Sequence, residues 1–145
     1  MSNESRSPIL TVTDAPGAHA EALIEEGLAR FNAENAGYRD ARPLAVLVSE
    51  PDSKAVAGGL LGRTTLGLLF IDLLFLPASM RKRGLGSRIM QAAEAEARQR
   101  GCRKAVVITI NFQAPEFYQR QGYRMFGQVD CLPGVARIFL SKDLA

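Results

Sequence analysis

The 145-residue chain has no tryptophan, one histidine (His19) and two cysteines (Cys102 and Cys131). These shortages exclude chemistry before any motif is considered. A zinc site takes about four nitrogen, sulfur or oxygen ligands, usually at close Cys or His spacing, and neither cysteine has such a neighbour. No metal is therefore expected, and the cysteines read as reduced thiols of a cytoplasmic protein. Long apolar runs are missing too. The most apolar stretch, Leu66–Leu76, is eleven residues with Asp72 inside it, whereas a spanning helix takes about 20. The opening MSNESRSPIL has no apolar core of signal-peptide length. No membrane partner is expected.

A large excess of one charge is also lacking. Lys and Arg total 18 against 15 Asp and Glu, a formal net charge of +3, which gives no reason to expect nucleic acid. The distribution is more informative than the sum. Met1–Asp40 carries 3 basic and 7 acidic residues, and Arg81–Lys104 carries 8 basic and 2 acidic. Positive charge gathered on one short segment suits a compact anionic ligand. With 47% hydrophobic and 23% charged residues, the chain has globular composition and length for one core. A single domain over 8–145 is expected, with a disordered tail at 1–7.

Pro8–Thr13 alternates and is β-branched, which predicts a first strand. Ala18–Ala36 predicts a helix with Ile24, Leu28 and Phe31 on one face. Leu44–Ser49, Ala55–Gly62 and Leu66–Leu76 predict three strands in an antiparallel meander, with a bend at Arg63–Thr65. Gly84–Arg100 predicts an amphipathic helix through Leu85, Ile89, Ala93 and Ala97, stopped by Gly101. Lys104–Ile110 predicts a buried strand, Ala114–Gln121 a short helix, and Tyr123–Val129 with Val135–Leu140 a closing antiparallel pair. The strand–helix–strand order from Leu66 to Ile110 predicts a parallel pair. The fold class is mixed α+β: a mostly antiparallel central sheet with one parallel unit and flanking helices.

Chemistry concentrates at Met80-Arg-Lys-Arg-Gly-Leu-Gly-Ser87, between a buried strand and an amphipathic helix. Gly84 and Gly86 let backbone approach a ligand, and the free N–H groups of a helix start favour an anion. Arg81, Lys82 and Arg83 add three cations at the same place. The construction suits a pyrophosphate. A P-loop is excluded because G-x-x-x-x-G-K-[ST] is absent. A dinucleotide fingerprint is excluded because Gly84-Leu-Gly-Ser-Arg-Ile89 lacks the third glycine.

Two segments together resemble the GNAT family of acyl-CoA N-acyltransferases. Arg81-Lys-Arg-Gly84-Leu-Gly86 matches its R/Q-x-x-G-x-G/A signature. Asn111-Phe-Gln-Ala-Pro-Glu-Phe-Tyr118-Gln-Arg-Gln-Gly-Tyr123 is similar to its N-x-x-A-x-x-F-Y-x-x-x-G-F/Y segment. The element order is similar over nearly the whole chain, although a second N-terminal helix is not separately visible. The resemblance implies a single N-acetyltransferase domain that binds acetyl-CoA as co-substrate and acetylates an amine. The expected acceptor is a small molecule. A protein or peptide amine, or a non-catalytic acyl-CoA-binding module, is the alternative, and a homodimer is left open.

The resemblance also assigns roles. Arg81, Lys82, Arg83, Gly84, Leu85, Gly86 and Ser87 would hold the pyrophosphate. Leu74, Phe75 and Leu76 would hold the pantetheine arm and polarise the thioester carbonyl, where the next strand is expected to splay away. Asn111 would contact the coenzyme, its alternative being a strand-end cap. Tyr118 would protonate the leaving thiolate, with Phe117 turned to the core. Asp72, alone in its apolar run, is a candidate general base or a structural anchor. In a related bacterial subgroup an aromatic precedes the Pro133 position and a His follows Gly134. Here those residues are Leu132 and Val135, which implies an altered acceptor pocket.

Overall fold

The computed structural model describes residues 6–145; of the tail expected at 1–7, residues 1–5 lie outside the described residues. Contacts divide the chain into two compact units, one ending at Arg39 and one running Asp40–Ala145. The first holds helix α1 (Ala18–Ala36), which ends at Gly37 with φ 87°, its N–H bonded to the Ala33 carbonyl at 2.8 Å. Glycine bears that left-handed geometry without a Cβ penalty. The strand predicted over Pro8–Thr13 does not form: the segment is exposed and, among the described residues, pairs with no strand. β-Branched residues favour a strand only where a neighbouring strand completes the ladder. Ile24, Leu28 and Phe31, predicted to share one face, are exposed, and among the described residues of this unit no other long helix or strand is present.

The second unit runs β1 (Arg42–Ser49), β2 (Val56–Thr65), β3 (Leu68–Phe75), a 3₁₀ turn (Ala78–Met80), α2 (Leu85–Gln99), β4 (Lys104–Ile110), α3 (Pro115–Arg120), β5 (Arg124–Asp130) and β6 (Ala136–Asp143). The six strands form one sheet in the order β1-β2-β3-β4-β6-β5. β3 and β4 are parallel and every other neighbouring pair is antiparallel. The predicted meander and parallel unit are therefore present. The bend expected at Arg63–Thr65 falls instead at Leu66–Gly67, whose φ angles are 49° and 84°. Two positive φ angles in a two-residue loop match the twist of a hairpin. The Asp40 carboxylate accepts from the Leu66 N–H at 3.1 and 3.2 Å, which ties the turn down.

α2 lies on the sheet through Ile89, Met90, Ala93 and Ala97, all buried. The two alanines are completely covered, as are Leu60, Leu69 and Leu140. Small residues there let the helix sit close to the strands, and each large apolar side chain removed from water contributes about 1.5–3 kcal/mol. Glu94 is also buried on this face. Its carboxylate accepts from the Tyr123 hydroxyl at 2.9 Å and from Lys142 Nζ at 2.7 Å, which links α2 to the last strands. Burial, together with the neighbouring Glu94 carboxylate, pushes the Tyr123 phenol well above the usual tyrosine range.

Candidate active site

Parallel pairing between β3 and β4 stops at Ile71 opposite Val107. β3 continues on β2 as far as Phe75, and β4 continues on β6 as far as Ile110. The strands therefore diverge, and the edge of β3 beyond Ile71 faces a groove. The groove has two lobes, of about 670 and 570 Å³, and Leu74, Leu76, Arg81, Ala114 and Phe117 line both. The predicted splay falls in the middle of the Leu66–Leu76 run.

The basic loop closes one lobe. Gly84 precedes α2 with φ 74°, and the first helical bond is Arg88 N–H to the Gly84 carbonyl at 3.2 Å. The N–H groups before Arg88 have no acceptor within the helix, so they are available to an anion. Lys82, Gly84, Gly86 and Ser87 line this lobe with Arg120 and Gln121, and Gln121 Nε2 donates to Ser87 Oγ at 2.8 Å. Arg81 donates from Nε to the Leu76 carbonyl at 2.9 Å, which fixes its side chain against the end of β3. Arg83 and Leu85 do not line the groove. A Cβ at Gly86 would sit 2.9 Å from Phe117 Cε2, so glycine there also leaves room for the Phe117 ring beside the helix start.

The other lobe carries Asp72, Leu73, Phe75, Thr109, Gln113 and Tyr118. Asp72 is the extra residue of a β-bulge: Leu73 pairs with Leu61 and Ile71 with Gly62, leaving Asp72 unmatched. A bulge re-aims the side chain it carries. Gly62 opposite it has no room for a Cβ, which would run into the Phe70 carbonyl. Arg63 Nε lies 3.4 Å from Asp72 Oδ2, and the Arg63 guanidinium sits 4.2 Å over the Phe70 ring. Both partners of this pair are about half exposed, so it orders the carboxylate without adding much stability.

Tyr118 and Phe117 both line the groove, and Tyr118, not Phe117, is the more deeply buried. Tyr118 is the buried one, 7% exposed, edge-on to Phe117 at 5.1 Å and to Tyr123 at 6.1 Å. Phe117 is half-buried and forms wall in both lobes. Tyr118 therefore borders the groove while packing in the core. Burial pushes the Tyr118 phenol up, so it stays protonated. Asn111 is not brought to the groove. Its Nδ2 donates to the Gly134 carbonyl at 3.0 Å and its Oδ1 accepts from Ala136 N–H at 3.0 Å, clamping the turn between β5 and β6.

Residue reading missed Arg63, Thr109, Gln113 and Arg120. Arg63 reaches Asp72 only through the β2–β3 register, which no local pattern displays. Gln113 lies inside the quoted Asn111–Tyr118 segment at an unspecified position of that pattern.

A splayed parallel pair, a cationic helix start beside it and a buried phenol at the splay thus share one groove. The chain belongs to the acetyltransferase (GNAT) family, whose model matches residues 13–123, and it is an acetyltransferase. It is 36% identical over 118 residues to Acetyltransferase Atu2258 of Agrobacterium fabrum, covering 81% of this chain and 85% of that one. It is 43% identical over 109 residues to blasticidin-S acetyltransferase of Streptomyces morookaense, covering 72% and 80%. The crystal structure of an acetyltransferase from Agrobacterium tumefaciens superposes with TM-score 0.85 at 34% identity, covering 94% of this chain and 99% of that one. A Bacillus anthracis protein crystallised in complex with acetyl coenzyme A shares the fold with TM-score 0.62 at 14% identity, over 75% of this chain and 66% of that one.

Proposed function

We propose that residues 8–145 act as one N-acetyltransferase domain that moves an acetyl group from acetyl-CoA to a primary amine of a small molecule. The observation that carries this is the continuity of the groove from the basic loop, past the open edge of β3, to Tyr118 and Asp72. The relative named for blasticidin S supports a small-molecule acceptor.

Arg81, Lys82 and the N–H groups of Gly84–Ser87 hold the pyrophosphate, with Arg120 as a further cation. The pantetheine arm then runs along Leu74, Phe75 and Leu76, whose backbone edge has no strand opposite it. The neutral amine attacks the thioester carbonyl carbon, and the carbonyl π pair moves to oxygen. When the tetrahedral adduct collapses, the C–S bond breaks and the thiolate takes the Tyr118 hydroxyl proton. The surplus ammonium proton leaves by way of Asp72, directly or through water. Burial keeps the Tyr118 proton in place, so the acid is loaded when the thiolate forms.

The test is a panel of small amines, blasticidin S among them, incubated with acetyl-CoA and followed by thiol release and product mass. At least one small amine is expected to give a product 42 mass units heavier, the mass of an added acetyl group less the proton it replaces (about 42 by the chemistry of amide formation). Calorimetry of Gly86→Glu accompanies it, and that variant should lose acetyl-CoA. Acetylation confined to peptide amines would overturn the acceptor assignment. Unchanged affinity in a folded Gly86→Glu protein would overturn the loop assignment.

A further inference from the structure

Asn111 and Gln113 both carry carboxamides at the end of β4, and the fold uses them differently. Both polar atoms of Asn111 are bonded to backbone across the β5–β6 turn. Gln113 Oε1 accepts two bonds, from Thr109 Oγ1 at 3.0 Å and from Ile110 N–H at 3.0 Å. The backbone N–H is a donor only, so the atom facing it must be the oxygen. The amide orientation is thereby set by chemistry. The Gln113 Nε2 group then has two N–H donors, neither bonded to a protein acceptor among the described residues, in a side chain that lines the groove.

We propose that Gln113 is the groove's fixed carboxamide donor and takes an amide carbonyl oxygen of the coenzyme's pantetheine arm. The inference rests on the acetyl-CoA assignment above. An arm passing from the loop lobe to the Tyr118 lobe runs between Leu74 and Leu76 on one side and Ala114 and Phe117 on the other, the residues common to both lobes. Gln113 immediately precedes Ala114 on that wall. The pantetheine arm contains two amides, and its open β3 side offers backbone groups while this side offers a pre-oriented N–H pair. Because the oxygen is already held by two donors, little rotamer entropy remains to be lost on binding. A carbonyl of the acceptor molecule has the same chemistry, and the experiment separates the two sources.

Gln113→Glu keeps an oxygen facing Thr109 and Ile110 and replaces the free N–H pair with an acceptor oxygen. Affinities for coenzyme A and for adenosine 3′,5′-bisphosphate, which lacks the pantetheine arm, are measured by calorimetry for wild type and variant. Coenzyme A should bind about ten-fold more weakly to the variant, and adenosine 3′,5′-bisphosphate should bind equally well to both. Gln113→Met, which removes the amide without adding charge, should repeat the selective loss if the Glu variant folds poorly. Unchanged coenzyme A affinity overturns the proposal, and so does an equal loss of both ligands. A raised KM for an accepted amine with coenzyme A affinity intact would move the bond to the acceptor and overturn it likewise. Failure of wild type to bind either ligand would instead strike the acetyl-CoA assignment itself.

Discussion

Replacing Tyr118 by Phe isolates one atom. The ring contacts to Phe117 and Tyr123 remain, at centroid separations of 5.1 and 6.1 Å, so packing is retained. Among the described residues the Tyr118 hydroxyl has no protein hydrogen-bond partner, so its removal orphans nothing inside the fold. The stability change should stay within about 0.5 kcal/mol, a shift of roughly 1–2 °C in Tm for a chain of this size. Turnover behaves differently. Positioned acid catalysis contributes about 10²–10⁴-fold, and the lower end corresponds to about 2.7 kcal/mol of transition-state stabilisation. The hydroxyl acts after the thioester is bound, so kcat and kcat/KM should fall together by about 100-fold while coenzyme affinity is nearly unchanged. Stopped-flow detection of released thiol, with saturating amine, reads the chemical step. Burial raises the phenol above its usual value, so wild type should keep this contribution through about pH 10, where an ordinary tyrosine begins to ionise. A thioester with a more acidic leaving thiol should narrow the gap between variant and wild type. Wild-type turnover in Tyr118→Phe, with chemistry demonstrably limiting, would refute the reasoning and leave water as the acid.

Asp72→Asn keeps the bulge and removes the base, so the rate should drop most near neutral pH and recover in part at high pH, where free amine is abundant; a pH–rate profile showing an equal loss at every pH would make Asp72 a structural anchor. Glu94→Ala strips a buried acceptor from Tyr123 and Lys142 and should cost about 3 kcal/mol, because Lys142 is only partly able to rehydrate; urea titration reads this, and a loss below about 1 kcal/mol would remove the network from the account of stability. The Tyr118 and Tyr123 phenols both hold their protons more tightly in the fold than in the unfolded chain. Above about pH 10 the unfolded chain binds fewer protons than the native state, so stability should fall with rising pH. Tyr123→Phe should flatten that slope in thermal melts between pH 9 and 11 (a range set by the ordinary tyrosine value, about 10), and an unaltered slope would count against it.

Much of the second unit was legible because its elements carry local signals. The four-residue recurrence through Ile89, Ala93 and Ala97 placed α2, and the β-branched run at Lys104–Ile110 placed β4. The Arg81–Ser87 loop and Tyr118 stood out because short motifs place them beside a predicted strand and helix start. What escaped was tertiary. Pro8–Thr13 has strand composition but no ladder to join. Phe117 and Tyr118 are adjacent, and no periodicity tells which of two neighbouring aromatics is the more deeply buried. Asp72 was visible as an oddity in an apolar run, but its bulge and its Arg63 partner exist only once β2 and β3 are in register. Asn111 and Gln113 bear the same chemistry two residues apart, and only the β5–β6 turn decides which is engaged.

The divergence of β3 from β4 leaves part of a central sheet with a bare edge on one side. In a closed sheet those amides would bond a neighbouring strand and exchange slowly with solvent. Here the groove-facing amides between Leu73 and Phe75 should exchange faster than the β4-facing amides of Leu69 and Phe70, since the stretch is paired on its β2 side only. A ligand laid along that edge would take the place of the missing neighbouring strand, so occupancy and folding would become linked. At a coenzyme concentration 100 times its Kd, that linkage contributes about 2.7 kcal/mol to stability. The apoprotein is, in this sense, an unfinished sheet whose last segment is a small molecule. Deuterium uptake confined to this edge should then slow in proportion to coenzyme occupancy.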